Sequence, residues 1–281
     1  MKQLLPLLLL LLPGLIACGP PSPEAPTERA DLVRYLFREH DAEDPRVMEE
    51  GLGNLSDILD GIDLQGSAAE RSWVPEPLEE EDAAEISQPE GRALSDLLGI
   101  SMAGLSAFPI EDHAALQVLT DQTITEPTAT SYLREITEPA DPSCFESGEC
   151  EFMRTVNDAR RENFLMAVDF ILFKDFRWSA VGTEEEAGED RPRAMAARSW
   201  FEESFPGDNG QTQLWQSYSI DIWLDDGAGR TRRFQTLWSE SDIIDVDEDI
   251  VRNVLRNSIC DVYTAGDEAI EQLAGQERSS R

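Results

Sequence analysis

The sequence predicts an α+β protein: a helical N-terminal part, then an antiparallel β-meander with a long C-terminal helix. Three patterns carry this reading. Apolar residues recur at helical spacing between residues 28 and 60, a two-residue alternation runs over 214–224, and helical spacing returns over 247–273.

Taken in order, residues 28–40 place Leu32, Val33, Leu36 and Phe37 on one helical face. His40 ends that helix, where a cationic ring would suit the negative end of the dipole. Asp44 reads as an N-cap with Pro45 at the first helical position, and Val47, Met48, Leu52, Leu55, Ile58 and Leu59 continue a second helix to about residue 60. These two helices are expected to pack together. Residues 65–90 read as a loop, because the acidic block Glu79-Glu80-Glu81-Asp82 has no apolar periodicity to offset the cost of ordering. Short helices are expected over 91–98 and 110–120, a third near 129–136, and a longer one beginning at 151 with Phe152, Val156 and Ala159 on one face.

From about residue 165 the chain becomes rich in aromatic and branched residues, and the later part of 165–181 reads as a strand. A further strand at 194–201 follows the acidic loop 184–190, and Gly207-Asp208-Asn209-Gly210 makes a turn. Leu214, Gln216, Tyr218, Ile220, Ile222 and Leu224 then alternate with Trp215, Ser217, Ser219, Asp221 and Trp223. Asp225 to Gly229 makes a hairpin loop, and 231–239 returns with Phe234, Thr236 and Trp238 in step. This gives a meander of about four strands. The final helix opens on Asp247, Glu248 and Asp249, whose charges suit the positive end of its dipole. The division is therefore a mainly helical part over 28–140, a sheet with its C-terminal helix over 141–274, and a disordered tail over 275–281.

Charge is the extreme feature of the composition. In 281 residues, 57 acidic side chains face 23 basic ones, a net charge of −34. Such a field repels nucleic acid and favours solubility and divalent cations, so no nucleic-acid partner is expected. With 41% apolar residues a chain of this length still builds a core.

The N-terminus fixes an expected location. Lys2 precedes an apolar run from Leu4 to Leu12, broken only by Pro6, and Pro13-Gly14 leads into Leu15-Ile16-Ala17-Cys18-Gly19. That run is too short to span a bilayer and reads as a secretory signal over residues 1–17, absent from the mature protein. The stretch Leu15-Ile16-Ala17-Cys18 resembles the lipobox of bacterial lipoproteins. The resemblance covers only the first nineteen residues and implies that Cys18 carries a diacylglyceryl group on Sγ and an acyl chain, such as palmitate, on its amino group. Two or three chains anchor a protein far more firmly than one. Gly19 stands where the family's inner-membrane retention signal would be Asp, so the resemblance implies the outer membrane if the source has one. Residues 18–27, with four prolines after the cysteine, form a stiff tether that spaces the domain from the lipid surface.

Three cysteines remain. In an oxidising compartment Cys144 and Cys150 are the natural pair, closing a short loop through Ser147-Gly148, and Cys260 reads as a small buried hydrophobe. Catalytic signatures are weak. His40 and His113 lack metal or triad spacing, and no P-loop, dinucleotide or His-Glu-x-x-His pattern occurs, so no metal site or cofactor is expected. Gly99-Ile100-Ser101-Met102-Ala103-Gly104 approximates a nucleophile elbow, but its last glycine is one place late and the residues before it read as helix. Asp245, Asp247 and Asp249 open like a calcium loop that fails at Ile250 and Arg256, and helix capping accounts for them better.

The aromatic set is the most informative. Trp178, Trp200, Trp215, Tyr218, Trp223 and Trp238 all fall in the proposed sheet. They read either as core or as the wall of an apolar binding face. The order of strands and terminal helix over about 165–273 is loosely similar to helix-grip folds that hold lipids and polyketides, a resemblance of element order that implies no particular residue. The expected function is a non-catalytic binding or interaction module, anchored in the cell envelope, for an apolar small molecule or an envelope protein. The alternatives are a hydrolase using carboxylates alone, which would show two acids of raised pKa in one cleft, and a structural subunit of an envelope complex.

Overall fold

A computed structural model of the chain describes residues 24–162, 167–184, 191–242 and 247–279. The predicted signal, Cys18, most of the tether, Asp245 and most of the 184–190 loop lie outside the described residues. No described helix is long and apolar enough to cross a membrane.

Helix α1 (Arg29–Arg38) buries Leu32, Val33, Leu36 and Phe37, and α2 (Pro45–Asp60) buries Met48, Leu52, Leu55 and Leu59. Asp44 caps α2 by accepting a hydrogen bond from the Arg46 amide at 3.1 Å, with Pro45 in the first turn. His40, however, is not a cationic cap. It lies fully buried in a 3-10 turn (Glu39–Asp41), where burial pushes its pKa down despite a 2.8 Å contact with Asp41, and its ring is neutral.

The acidic loop is also better ordered than its composition implies. The Asp82 carboxylate is fully buried, accepting from Arg34 Nε at 2.7 Å, Arg38 Nη1 at 3.1 Å and the Glu79 amide at 2.8 Å. Two arginines of α1 supply the ordering that apolar periodicity cannot.

One antiparallel sheet receives all the strands of the described residues: β1 (Ser72–Trp73), β2 (Leu98–Ser106), β3 (Ala129–Glu138), β4 (Phe152–Glu162), β5 (Ala167–Ala180), β6 (Arg193–Trp200), β7 (Phe205–Pro206), β8 (Gln213–Asp225) and β9 (Thr231–Asp242). Its order is β1-β2-β9-β8-β6-β5-β4-β3, with β7 beside β8. Three expected helices are corrected here. Residues 91–98 hold only a short 3-10 turn (Leu94–Asp96) and the start of β2, and the segments at 129–136 and from 151 are β3 and β4. The helical part 28–140 thus contributes β1, β2 and β3 to the same sheet as the rest.

Register divides the side chains between two faces. Cross-strand pairs such as Tyr218 with Trp238, Ile222 with Phe234 and Ala196 with Ile222 face α1 and α2 and make the largest core. Asp221 with Gln235, Ser217 with Ser239 and Met153 with Phe176 face the other way. On that second face sit α3 (Ile110–Gln117), α4 (Ser143–Glu146) and the long α5 (Glu248–Ser279). Cys144 of α4 is bonded to Cys150, with Cα atoms 5.1 Å apart.

Helix α5 begins where Asp247 Oδ1 accepts from the Asp249 amide at 2.8 Å. It presses Ile259 onto Ile100 and Met102 of β2, beside the half-buried Cys260. Gly104 is needed there, because a Cβ would stand 2.8 Å from the Tyr263 ring. Beyond it, Ala269 and Ile270 pack on Leu116 of α3. The helix continues to Ser279, so residues 275–279 are helical rather than a disordered tail.

Candidate functional site

The space between the second face and α5 is incompletely filled. Under the first half of α5 lies a cavity of about 430 Å³, of the size that holds small-molecule ligands. Its floor is Val168 and Phe170 of β5, Phe201, Leu214 of β8 and Leu237 of β9, and its roof is Val251, Val254 and Leu255 of α5. Serines 217 and 239, opposite one another across β8 and β9, add hydroxyls to the floor. Charges stand at its margin: Arg161 pairs with Glu126 at 2.6 Å, Glu240 with Arg92 and Glu248 with Arg252 at 3.1 Å, and the carboxylates of Asp96 and Asp261 border it as well. The cavity thus has a greasy floor and roof, with hydroxyl, amide and mainly acidic groups around its margin.

A second, smaller space of about 70 Å³ lies under the following half of α5 and has opposite chemistry. Lys174 Nζ donates to Asp221 Oδ2 at 2.5 Å. Arg134, buried on β3, donates to Asn157 Oδ1 at 2.8 Å and to the Gln117 carbonyl at 2.5 Å. Arg233 donates to the Tyr263 carbonyl at 2.8 Å and pairs with Asp267 at 3.1 Å. His113 faces the same space; burial, with the Arg233 charge behind it, pushes its pKa down to about 3 and keeps the ring neutral.

The expected aromatic wall is not one surface. Trp200, Tyr218 and Trp238 belong to the core under α1 and α2, where Phe37 meets Tyr218 and Trp238 edge-on at 6.0 and 5.7 Å. Trp178 packs against Phe145 of α4 and donates to its carbonyl at 2.7 Å, with the Arg193 guanidinium 4.0 Å over its ring. Trp215 occupies a bulge between Leu214 and Gln216 and holds Arg92 at 4.4 Å. Only Trp223 of the six reaches either space, the polar one. The aromatic walls of the larger cavity are Phe170 and Phe201, which tryptophan counting overlooks.

Two catalytic readings can be placed. Ser101 sits in mid-strand on β2, fully buried, its hydroxyl 2.7 Å from that of Thr236, so it is not at the exposed strand-to-helix turn an elbow needs. Two carboxylates with opposite shifts, the half-buried Asp41 and the buried Asp175, stand beside Arg198 on the α1 side of the sheet. Burial opposes ionisation of Asp41 but is outweighed by the His40 contact and the Arg198 charge, so its pKa falls. Asp175 is pushed up to about 6 by burial and by Asp41, against the pull of Arg154 and Arg198. One acid is raised and one lowered, and neither lines the two spaces between the sheet and α5.

Asp175 has a measurable consequence. An acid raised in the folded state stabilises it fully below the unfolded pKa near 3.9, and that contribution is lost as pH rises through about 6. Asp175→Asn should therefore stabilise the protein at pH 8 by up to about 3 kcal/mol and have little effect near pH 4. Chemical denaturation at both pH values checks this; an equal effect at the two would contradict it.

No family model matches the chain, and no curated protein matches it. Parts of the chain are similar to solved structures. A START superfamily protein from Mycobacterium smegmatis is 12% identical over 62% of this chain and 98% of its own, with a TM-score of 0.39. The Zhui aromatase/cyclase from Streptomyces sp. R1128 is 11% identical over 66% and 96%, TM-score 0.37. Human StAR-related lipid transfer protein 5 is 8% identical over 63% and 76%, TM-score 0.39.

Proposed function

We propose that this chain is a lipid-anchored module of the cell envelope that binds an apolar molecule between its sheet and α5, without catalysing a reaction. The observation that carries the binding role is the 430 Å³ cavity itself. Well-packed interiors leave few voids larger than a water molecule, so an apolar volume of this size is space for a guest rather than a packing fault. The wall chemistry selects the guest. Phenylalanine, leucine and valine side chains reward apolar surface at about 25 cal/mol per Å² buried. Ser217 and Ser239 offer hydrogen bonds to one or two polar atoms.

Native mass spectrometry of the full chain, gently purified and compared before and after organic extraction, tests the reading. An extra mass removed by extraction is the expected result. A bare polypeptide mass before extraction, with no uptake of added apolar compounds, overturns it.

The anchor is a separate claim, supported by the apolar run and lipobox ending at Cys18. Cys18→Ala removes the acceptor of the lipid. The variant should leave the sedimenting membrane fraction for the soluble one, since it lacks the acyl chains. If it still sediments with membranes, the anchor is elsewhere.

A further inference from the structure

The polar chamber beside the apolar cavity is built for a ligand of its own kind. Its walls carry three cations, Arg134, Lys174 and Arg233, against two carboxylates, Glu126 and Asp221. Adding the partners outside the chamber, Arg161 on Glu126 and Asp267 on Arg233, leaves the balance at one positive charge. This surplus sits inside a protein whose overall charge is −34. It resides on Arg134, only 4% exposed, whose guanidinium meets the neutral oxygens of Asn157, Gln117 and Tyr132 and feels Glu126 and Asp221 only through space. A buried arginine cannot shed its proton, so an unbalanced one calls for an anion.

The chamber also presents unused hydrogen-bonding atoms. Among the described residues, His113 Nε2, Arg233 Nε and Asp221 Oδ1 are buried without a partner, on side chains at least nine-tenths buried. The volume of about 70 Å³ is that of about two waters at liquid density, enough for a carboxylate and one water. Asp221 Oδ1 repels an oxyanion beside it, which puts the anion on the arginine side and a donating water next to Asp221.

We infer that this chamber is a carboxylate-binding subsite, with Arg134 as its principal charge partner. The carboxylate can come from a free short acid or from the head of a long-chain acid whose tail lies in the larger cavity; the long-chain source rests on the function proposed above. The two spaces lie end to end. On β9 Gln235 of the chamber is two residues from Leu237 of the cavity, and on α5 Val262 is one turn from Ser258.

Calorimetric titration of the full chain in lipid nanodiscs, corrected with empty nanodiscs, decides this with acetate, octanoate and octanol. Octanoate should bind at least about tenfold more tightly than octanol, as expected of a charge-assisted contact. Arg134→Gln should reduce that ratio to within about twofold, whereas Arg134→Lys, keeping the charge, should retain most of it. Binding of acetate with neither octyl compound would uphold the subsite and overturn the apolar-ligand reading. Equal binding of octanoate and octanol would overturn the subsite and leave the apolar reading intact, and no binding by any of the three would overturn both. The wild-type ratio alone decides the question if Arg134→Gln does not fold.

Discussion

Val254→Trp should abolish most of the protein's capacity for its apolar guest while leaving it folded. Val254 lines the roof of the larger cavity from the first half of α5, where the helix is only partly buried. An indole at that position extends into existing empty space, so it need not displace core atoms, the usual cause of overpacking penalties. Each methylene of the guest that it excludes forfeits about 0.8 kcal/mol. Excluding three amounts to about 2.4 kcal/mol, or about fiftyfold in Kd. Ile250→Trp, one turn earlier and 52% exposed, is the matched control, because Ile250 does not line the cavity. Affinity for octanol or octanoate, measured by calorimetry beside thermal melting, separates the outcomes. If Val254→Trp binds like the wild type, the guest does not occupy this cavity. If Ile250→Trp weakens binding as much, the effect belongs to the helix and not to the space beneath it.

The contrast between these positions shows what kind of information a linear sequence holds. Strands β8 and β9 were legible because their buried residues alternate with more polar ones along most of their length, and α1, α2 and α5 because theirs recur at helical spacing. Strands β3 and β4 were not. Their inward positions mix the polar Arg134, Thr155 and Asn157 with Tyr132, Met153 and Ala159, while Leu133 points outward and is 53% exposed, so the apolar alternation is broken. Strand β2 is buried on both faces and therefore shows no alternation at all.

The site was less legible than the fold for a different reason. An unfilled volume belongs to two facing surfaces: Phe170 and Val254 each look like ordinary core residues until the distance between their elements is known. The polar chamber draws Arg134, Lys174 and Asp221 from three strands far apart in the chain, so no local motif marks it. The tryptophans drew attention because they were numerous, but register placed Trp200 and Trp238 on one face and Trp178 and Trp223 on the other.

Trp238→Ala should be among the most destabilising single substitutions in the protein, and its comparison with Trp223→Ala tests that division of the sheet. Trp238 is fully buried, meets Phe37 of α1 edge-on at 5.7 Å, and donates its indole N–H to the Glu76 carbonyl at 2.9 Å. Truncating a buried tryptophan costs about 3–5 kcal/mol through lost transfer energy and the cavity left behind. The Glu76 carbonyl also loses its donor, adding roughly 1 kcal/mol. In a chain of this size each kilocalorie lowers Tm by about 2–4 °C, so a fall of about 10 °C or more is expected. Trp223 is only half-buried and borders the polar chamber, where water can enter the space its ring vacates, so Trp223→Ala should lower Tm by less than half as much. The ligand responses should run the other way. Trp238 touches neither space between sheet and helix, so folded Trp238→Ala protein below its melting temperature should retain its affinity for octanoate. Trp223→Ala alters a wall of the carboxylate chamber and should weaken octanoate more than octanol. Equal melting temperatures for the two variants would contradict this division of the sheet, and loss of octanoate binding in folded Trp238→Ala protein would mean that the indoles under α1 and α2 are part of the ligand site after all.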